Sequence, residues 1–351
     1  MSGKEARLKK TGRGLPVIGR DSHVLSIIGL MILVCIIMML LKPESYFTGL
    51  NLRSMIFQFP EYGVLALGMM ACMIAGGIDL SLVGIMNLTG VLAALIVKNT
   101  IIIENGVVTN PGMVVPIIVL ACVVAVVVGG ACGAFNGFII GYFGLPAMLV
   151  TLCGLQLYTG LAYGITGGPA INGMCDAFKN IANGTIPGIG IPWVLLIFIA
   201  VLAVVVFIMK CTVFGHEIYF LGSNAQAAMY SGINTMRVTV MTYMFSGILG
   251  GISGILITSH LNSAKSSNGS TYTLLSLLIV VLGGVHPDGG RGRVIGVVLA
   301  VLLLQMIANA FGVMYLDDNA KTFANGCLLV AALVLSVVMD KRAAKKAAAQ
   351  S

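Results

Sequence analysis

The residues whose chemistry could serve a function are few, and they stand apart from one another in apolar sequence. Glu61 follows Pro60 in an apolar run, and a proton-coupled carrier would need such a carboxyl group. The simpler interpretation, which we favour, is a carboxylate near an outer interface that water can reach. The four histidines have no metal-ligand spacing, so the sequence predicts no metal site.

A second carboxyl group lies in a helix-breaking segment, Gly-Gly-Ile-Asp-Leu-Ser at 76–81. An isolated carboxylate near the centre of a bilayer costs ~2.5–3.5 kcal/mol, so Asp79 is expected to contact protein or water. Two interpretations stay open. Asp79 caps a helix that begins at Leu80, or it lies in a broken helix that lines a translocation path. The segment 283–290 partly repeats this pattern after a later apolar run.

Five polar groups inside apolar runs are candidates for a substrate path, because such groups tend to face the interior of a helix bundle or a cavity. These candidates are Asp79, Asn87, Asn136, Gln305 and Asn309. Asn136 stands beside a stripe of glycines spaced four residues apart, and the spacing recurs later in the chain. The stripe predicts close packing between helices. The glycines are Gly129, Gly133, Gly137 and Gly141, and the later pair is Gly250 and Gly254.

The sequence contains no recognisable nucleotide-binding loop. Such a loop needs the pattern G-x4-G-K-[ST], so that backbone N–H groups and a lysine hold the phosphates. The only Gly-Lys pair is Gly3-Lys4, and Glu5 follows it. Active transport by this chain would therefore draw its energy from another subunit or from an ion gradient.

The most informative polar segment is 214–238. Ser223 or Asn224 is a candidate N-cap, Ala225–Tyr230 favours a helix, and Gly232 ends it. The pattern predicts a short helix that projects from the membrane. It is either an interfacial loop or, in a chain without an ATPase site, the element that docks to a motor subunit.

Composition assigns the whole chain to the membrane. The 351 residues are 58% hydrophobic and only 9% charged, whereas soluble domains are about 25% charged. This excludes a soluble enzyme, a nucleic-acid-binding protein and a disordered protein. Basic residues concentrate in the tails 1–23 and 341–351, so we interpret them as cytoplasmic topology signals rather than as a nucleic-acid site.

The sequence predicts an all-α, polytopic fold with about ten spans in one transmembrane domain, 24–340. The segment 167–191 is expected outside, and the loop 210–237 inside with both termini. Thr273–Val285 is short for a span and indicates a half-helix or a helix that extends into the preceding polar stretch. Val114–Phe143 is either one tilted helix or a span followed by a second piece. The spans are Val24–Leu41, Met55–Ala75, Leu80–Val97, Val114–Phe143, Ala147–Thr166, Pro192–Met209, Val238–Ser259, Thr273–Val285, Val294–Tyr315 and Thr322–Met339.

Four groups of motifs follow one another in the chain: GVLALGM at 63–69 leading into AGGIDLS at 75–81, FNG at 135–137, the segment 215–232, and GGRG at 289–292. With these motifs the chain resembles the permease subunit of bacterial ABC importers of the ribose, galactose, xylose and arabinose type. The resemblance extends over most of the chain from about residue 50 to residue 340 and keeps the family's order.

The resemblance implies a permease bundle with broken helices, in which two chains, identical or homologous, surround a central pore. It implies a solute-binding protein outside, an ABC ATPase subunit inside, a multi-pass location in the bacterial cytoplasmic membrane, no catalytic residue and no cofactor. The third group of motifs is then the loop that couples to the ATPase. Its candidate residues are Gly215, Gly222, Ser223, Asn224, Ala227, Ala228, Ser231 and Gly232.

On this interpretation the solute is a monosaccharide or a similar small polar molecule. Three alternatives stay open. The chain is an ion-coupled secondary carrier that uses Glu61 and Asp79, a passive channel, or a permease of the same type with a nucleoside or an amino acid as its substrate. A dependence on a separate ATPase separates the permease from the first two alternatives.

Overall fold

The described part of the protein is a bundle of α-helices with two short antiparallel strand pairs, a local one between β1 and β2 and a long-range one between β3 and β4. The computed structural model describes residues 22–330 and 334, except 102, 105, 106, 109, 110, 189 and 318. The helices are α1 Ser22–Leu41, α2 Pro43–Tyr46, α3 Gly49–Ile74, α4 Leu82–Thr100, α5 Val114–Phe143, α6 Ala147–Thr166, α7 Asp176–Asn183, α8 Trp193–Cys211, α9 Val213–Ser223, α10 Ala225–Tyr230, α11 Thr235–Leu261, α12 Tyr272–Leu282 and α13 Val294–Val313. The strands are β1 Ile103–Glu104, β2 Val107–Val108, β3 Ile171–Asn172 and β4 Ser263–Ala264.

Eight helices in the described part of the chain are long and apolar enough to cross a membrane: α1, α3, α4, α5, α6, α8, α11 and α13. They match eight of the ten predicted spans and confirm the all-α, polytopic class. The last predicted span, Thr322–Met339, is described only in part and is helical over 319–330. Nearly all of the basic tail 1–23, and all of the tail 341–351, lie outside the described residues.

Helix α5 is one continuous helix of 30 residues, which decides between the two expectations for that segment. It packs along α11, where small residues let the two backbones approach closely. A Cβ atom added at Gly129 or Gly133 would collide with the backbone of α11 at Gly247 or Tyr243. The glycine stripe therefore has the predicted packing role.

The later glycine pair serves a second close contact of α11. An added Cβ at Gly250 would lie 3.4 Å from the backbone oxygen of Leu82, and one at Gly254 would lie 3.1 Å from the backbone nitrogen of Gly90. Both partners belong to α4, so α11 packs between α4 and α5. This central position makes α11 the helix through which several polar groups of the bundle meet.

The segment before α12 turns back into the bundle. Strand β4 pairs with β3, and soon afterwards the carbonyl of Ser266 accepts a 2.7 Å hydrogen bond from Asn87 Nδ2. Asn87 lies 13 residues before the end of α4, roughly 20 Å along the helix axis. Helix α12 has 11 residues, about 16 Å, and so spans only about half of a bilayer core. Of the two alternatives predicted for this segment, the half-helix is confirmed.

Candidate translocation and coupling sites

Asp79 is the centre of a buried polar network at the break between α3 and α4. Its Oδ1 atom accepts hydrogen bonds from the Ser81 backbone N–H (3.1 Å) and the Ser81 hydroxyl (2.6 Å). Its Oδ2 atom accepts a 2.8 Å bond from the hydroxyl of Ser246 on α11. The cap expected for a helix beginning at Leu80 is wrong, since α4 begins at Leu82 and Asp79 forms a turn with Ser81 instead.

Asn136 on α5 extends the same network. Its Nδ2 atom donates a 2.8 Å hydrogen bond to the Ser81 hydroxyl, and its Oδ1 atom accepts one of 2.8 Å from the Tyr158 hydroxyl on α6. Asp79 and Asn136 are almost fully buried, at 0% and 1% exposure. Buried groups that are all hydrogen-bonded hold their elements in one arrangement, so this network ties the break to α5, α6 and α11.

The other three candidates lie elsewhere. Asn87 donates its hydrogen bond to Ser266, in the segment before α12 that turns back into the bundle. Gln305 and Asn309 lie on α13 and face α3: Gln305 Nε2 donates to Gln58 Oε1 at 3.1 Å, and Gln305 Oε1 accepts a hydrogen bond from the Tyr62 hydroxyl. Asn309 and Asn51 exchange two hydrogen bonds of 2.7 and 2.8 Å. The five predicted residues thus occupy three places, and their role in a substrate path stays a prediction.

Glu61 is not the water-accessible carboxylate that the sequence suggested. Only 3% of the residue is exposed, and its carboxylate forms an ion pair with His260 Nδ1 at the end of α11. The Tyr272 hydroxyl donates a 3.4 Å hydrogen bond to Glu61 Oε2, and the Ser253 hydroxyl donates one of 2.7 Å to the Glu61 backbone oxygen. Sequence reasoning missed His260 as a partner, because nothing in the local pattern connects positions 61 and 260.

The predicted projecting helix is present as α10, with the predicted bounds Ala225–Tyr230. Asn224 is its N-cap, since Asn224 Oδ1 accepts a 2.9 Å hydrogen bond from Ala227 N–H, whereas the Ser223 hydroxyl bonds to Tyr219 within α9. Gly232 follows with a positive φ of 84°, as a glycine that ends a helix commonly has. The choice left open between Ser223 and Asn224 is thereby decided.

The exposed face of α10 differs from the expected one. Ala227 is exposed, but Ala228 has no exposed surface and packs against its own chain, so the expectation that Ala228 contacts an ATPase is wrong. Gly215 is also buried, against the end of α8. The large exposed apolar side chains are Met229 and Tyr230, at 56% and 85% exposure. An apolar tip on a short capped helix is suited to fill a cleft in a partner protein.

Glycines connect this exposed helix to the two breaks in the bundle. Gly222, the penultimate residue of α9, lies against the backbone oxygen of Ile74 at the end of α3. Gly290 N–H donates a 2.8 Å hydrogen bond to the same oxygen. The Tyr219 hydroxyl on α9 donates a 3.0 Å bond to the Gly292 carbonyl, and burial raises the pKa of that hydroxyl above its usual value. The breaks at 76–81 and 283–290 therefore meet at α9.

A polytopic bundle with interrupted helices, a re-entrant half-helix and a short helix exposed at one end defines the membrane subunit of a transporter. Residues 51–337 match the family described as branched-chain amino acid transport system / permease component, and the chain belongs to this family. The match covers the region from α3 to the partly described last span. It confirms a permease component, which is a transport subunit and not an enzyme.

Curated relatives agree with this class. The chain is 31% identical to the ribose import permease protein of Haemophilus influenzae, over 88% of this chain and 91% of that protein. It is 31% identical to the ribose import permease protein of Bacillus subtilis, over 88% and 90%, and 26% identical to the L-arabinose transport system permease protein of Escherichia coli, over 85% of each. No solved structure matches the chain. The resemblance to sugar-importer permeases is confirmed.

Proposed function

We propose that two permease chains of this type form the membrane path of an ATP-driven importer for a monosaccharide or a similar small polar solute. The observation that carries the proposal is the exposed, capped helix α10, which is joined through α9 to both breaks of the bundle. The names of the curated relatives, two ribose permeases and one L-arabinose permease, support a sugar as the solute.

In this importer an ABC ATPase subunit binds α10 from the cytoplasm. Asn224 keeps α10 helical, and the side chains of Met229 and Tyr230 enter the contact. A displacement of α10 reaches Gly222 at the end of α9 and from there the ends of α3 and α12. Asp79 and Asn136 then act by holding the broken ends against α5, α6 and α11, while an extracytoplasmic binding protein delivers the solute on the opposite side.

This arrangement sets the topology. The protein lies in the bacterial cytoplasmic membrane as a single transmembrane domain, 24–340, with the segment 210–237 and both termini in the cytoplasm. The basic tails 1–23 and 341–351 support this orientation, because lysine and arginine are concentrated on the cytoplasmic side of membrane proteins. The outer end then holds β3, β4 and the polar side chains at the start of α3.

The test is transport by the reconstituted complex. The chain is purified with its ABC ATPase subunit and solute-binding protein, placed in liposomes, and assayed for uptake of labelled D-ribose and L-arabinose with ATP on the ATPase side. We expect accumulation that requires both ATP and the binding protein. Accumulation driven by a proton gradient without ATP would overturn the proposal in favour of a secondary carrier, and equal uptake without any energy source would favour a passive channel.

A further inference from the structure

A polar cavity of about 350 Å³ lies between α2, α3 and α13 at the end of the bundle opposite to α10. It has six polar lining residues, drawn from the start of α3, the end of α13 and the chain on either side. The six are Ser45, Asn51, Gln58, Asn309, Tyr315 and Lys321. This position, on two helices that belong to the membrane-spanning set, distinguishes the cavity from an ordinary loop pocket.

The amides in this cavity retain hydrogen-bonding capacity for a ligand. An asparagine or glutamine amide has two N–H donors and an oxygen that accepts twice. Among the described residues, Asn309 uses one donor and one acceptor position, both with Asn51. Gln58 donates once to the Ser54 hydroxyl and accepts once from Gln305. Asn309 and Gln58 therefore each keep one N–H and one acceptor position.

The cavity is not explained by contact with lipid. Gln58 is exposed although it lies nine residues inside a membrane-spanning helix, and polar side chains in such helices face a bundle interior or water rather than hydrocarbon. The polar line continues inward from Gln58 to the buried Gln305 and then to Tyr62. A polar surface that runs from a cavity into the bundle is what a polar solute needs in order to leave bulk water.

We propose that this cavity is an outer binding site for a polyhydroxylated solute, held by Gln58 and Asn309. A hydroxyl group both donates and accepts a hydrogen bond, and so it matches an amide that keeps one donor and one acceptor position. The apolar side chain of a branched amino acid could bind neither the free donor nor the free acceptor position of the amide. The proposal rests on the proposed function, because it assigns part of the path of that importer.

Tyr315 adds an aromatic surface at the rim of the same cavity. Its side chain is 93% exposed, and its φ of 57° belongs to the left-handed residue that ends α13, where Tyr315 N–H bonds to the Gly312 carbonyl and Leu316 N–H bonds to the Phe311 carbonyl. A ring face beside amides is a suitable surface for the C–H groups of a sugar ring, while the amides bind its hydroxyls.

Gly312 allows the cavity to be filled with little disturbance of the fold. It lines the cavity, and a Cβ added to it meets no atom within 4 Å. We therefore expect Gly312→Trp to fold, to pair and to bind the ATPase, but to reduce ATP-driven uptake of D-ribose or L-arabinose by about tenfold or more, corresponding to ~1.4 kcal/mol. The matched control is Gly160→Trp on α6, where an added Cβ also meets no atom within 4 Å and which does not line the polar cavity.

The outcomes separate this proposal from the proposed function. If the wild-type complex imports sugar and Gly312→Trp imports it at the wild-type rate, the cavity is not a binding site and the importer stands. If uptake falls and the permease pair also dissociates, the face is a contact between chains and the proposal is overturned. A second variant, Asn309→Leu, removes the amide without filling the cavity to the same extent and should raise the solute concentration for half-maximal uptake.

Discussion

The backbone N–H of Gly290 donates a 2.8 Å hydrogen bond to the carbonyl of Ile74, the last residue of α3. A Cβ added at Gly289 would lie 2.7 Å from Gly76 Cα, and one added at Gly290 would lie 2.8 Å from Ser223 Cα. The two glycine-rich breaks and the end of α9 thus touch through backbone atoms. We call Gly76, Gly222, Gly289 and Gly290 the glycine junction. Because Gly222 lies at the end of α9, directly before α10, the junction connects α10 to both breaks.

The glycine junction predicts a severe effect of one added methyl group. In Gly222→Ala the new Cβ would collide with the backbone oxygen of Ile74, and a backbone atom has little freedom to move away. Overpacking of this kind costs about 1–3 kcal/mol. We expect a lower melting temperature of the purified permease in detergent and weaker coupling of ATP hydrolysis to uptake in liposomes.

The control for this change is Gly164→Ala on α6, where an added Cβ meets nothing within 4 Å. It should leave uptake at the wild-type value and should not lower the melting temperature, since alanine favours a helix more than glycine does. A Gly222→Ala protein with wild-type melting and coupling would show that the backbones at the junction separate freely, and the proposed route from α10 to the breaks would fail.

Two adjacent alanines of α10 should give opposite results when each is replaced by glutamate. Ala228 is fully buried in its own chain, so Ala228→Glu buries an unpaired charge and should destabilise the permease itself by roughly 3–5 kcal/mol. Ala227 is exposed, so Ala227→Glu should leave melting unchanged and weaken co-purification with the ATPase. Equal ATPase binding by Ala227→Glu and the wild type would contradict docking at this face.

Local sequence signals predicted α10 well, because each is a short-range effect. A capping side chain acts on an N–H group two or three residues away, and a glycine with positive φ ends the helix at its own position. Asn224 and Gly232 show both effects. The pattern said nothing about which face of α10 is buried, since that depends on the contact of Ala228 with distant parts of the chain.

The pairs of residues that are far apart in the chain could not be predicted either, because local sequence patterns carry no signal for distant contacts. The sequence predicts that Asp79 contacts protein or water, but it does not indicate Ser246, which lies 167 residues away on α11. Asn309 is a polar residue in an apolar run, whereas its partner Asn51, 258 residues earlier, lies before the predicted span and has no such signal. Hydrophobic periodicity predicts which segments form helices; it does not specify which helix faces meet.

We expect the network around Asp79 to stabilise the fold of the permease. Asp79→Ala removes the acceptor of the Ser81 and Ser246 hydroxyls and should lower the free energy of unfolding by on the order of 1–3 kcal/mol. Asp79→Asn keeps the shape of the side chain and at least one acceptor, so it should lower the free energy of unfolding by less. The measurement is the melting temperature in detergent for both variants, compared with Ser246→Ala. Wild-type melting of Asp79→Ala would refute a structural role.

The ion pair between Glu61 and His260 gives the last prediction, which also separates an ATP-driven importer from an ion-coupled carrier. Glu61→Gln should lower stability, though by less than the roughly 3–5 kcal/mol typical of a fully buried pair, since 26% of the His260 side chain is exposed. The double variant Glu61→Gln/His260→Gln should lose less than the sum of the two single changes, because the second change removes a group that the first has left unpaired. Strictly additive losses in a double-mutant cycle would contradict the pair. Uptake by the double variant should stay dependent on ATP, whereas abolished uptake in a stably folded double variant would restore Glu61 as a coupling carboxylate.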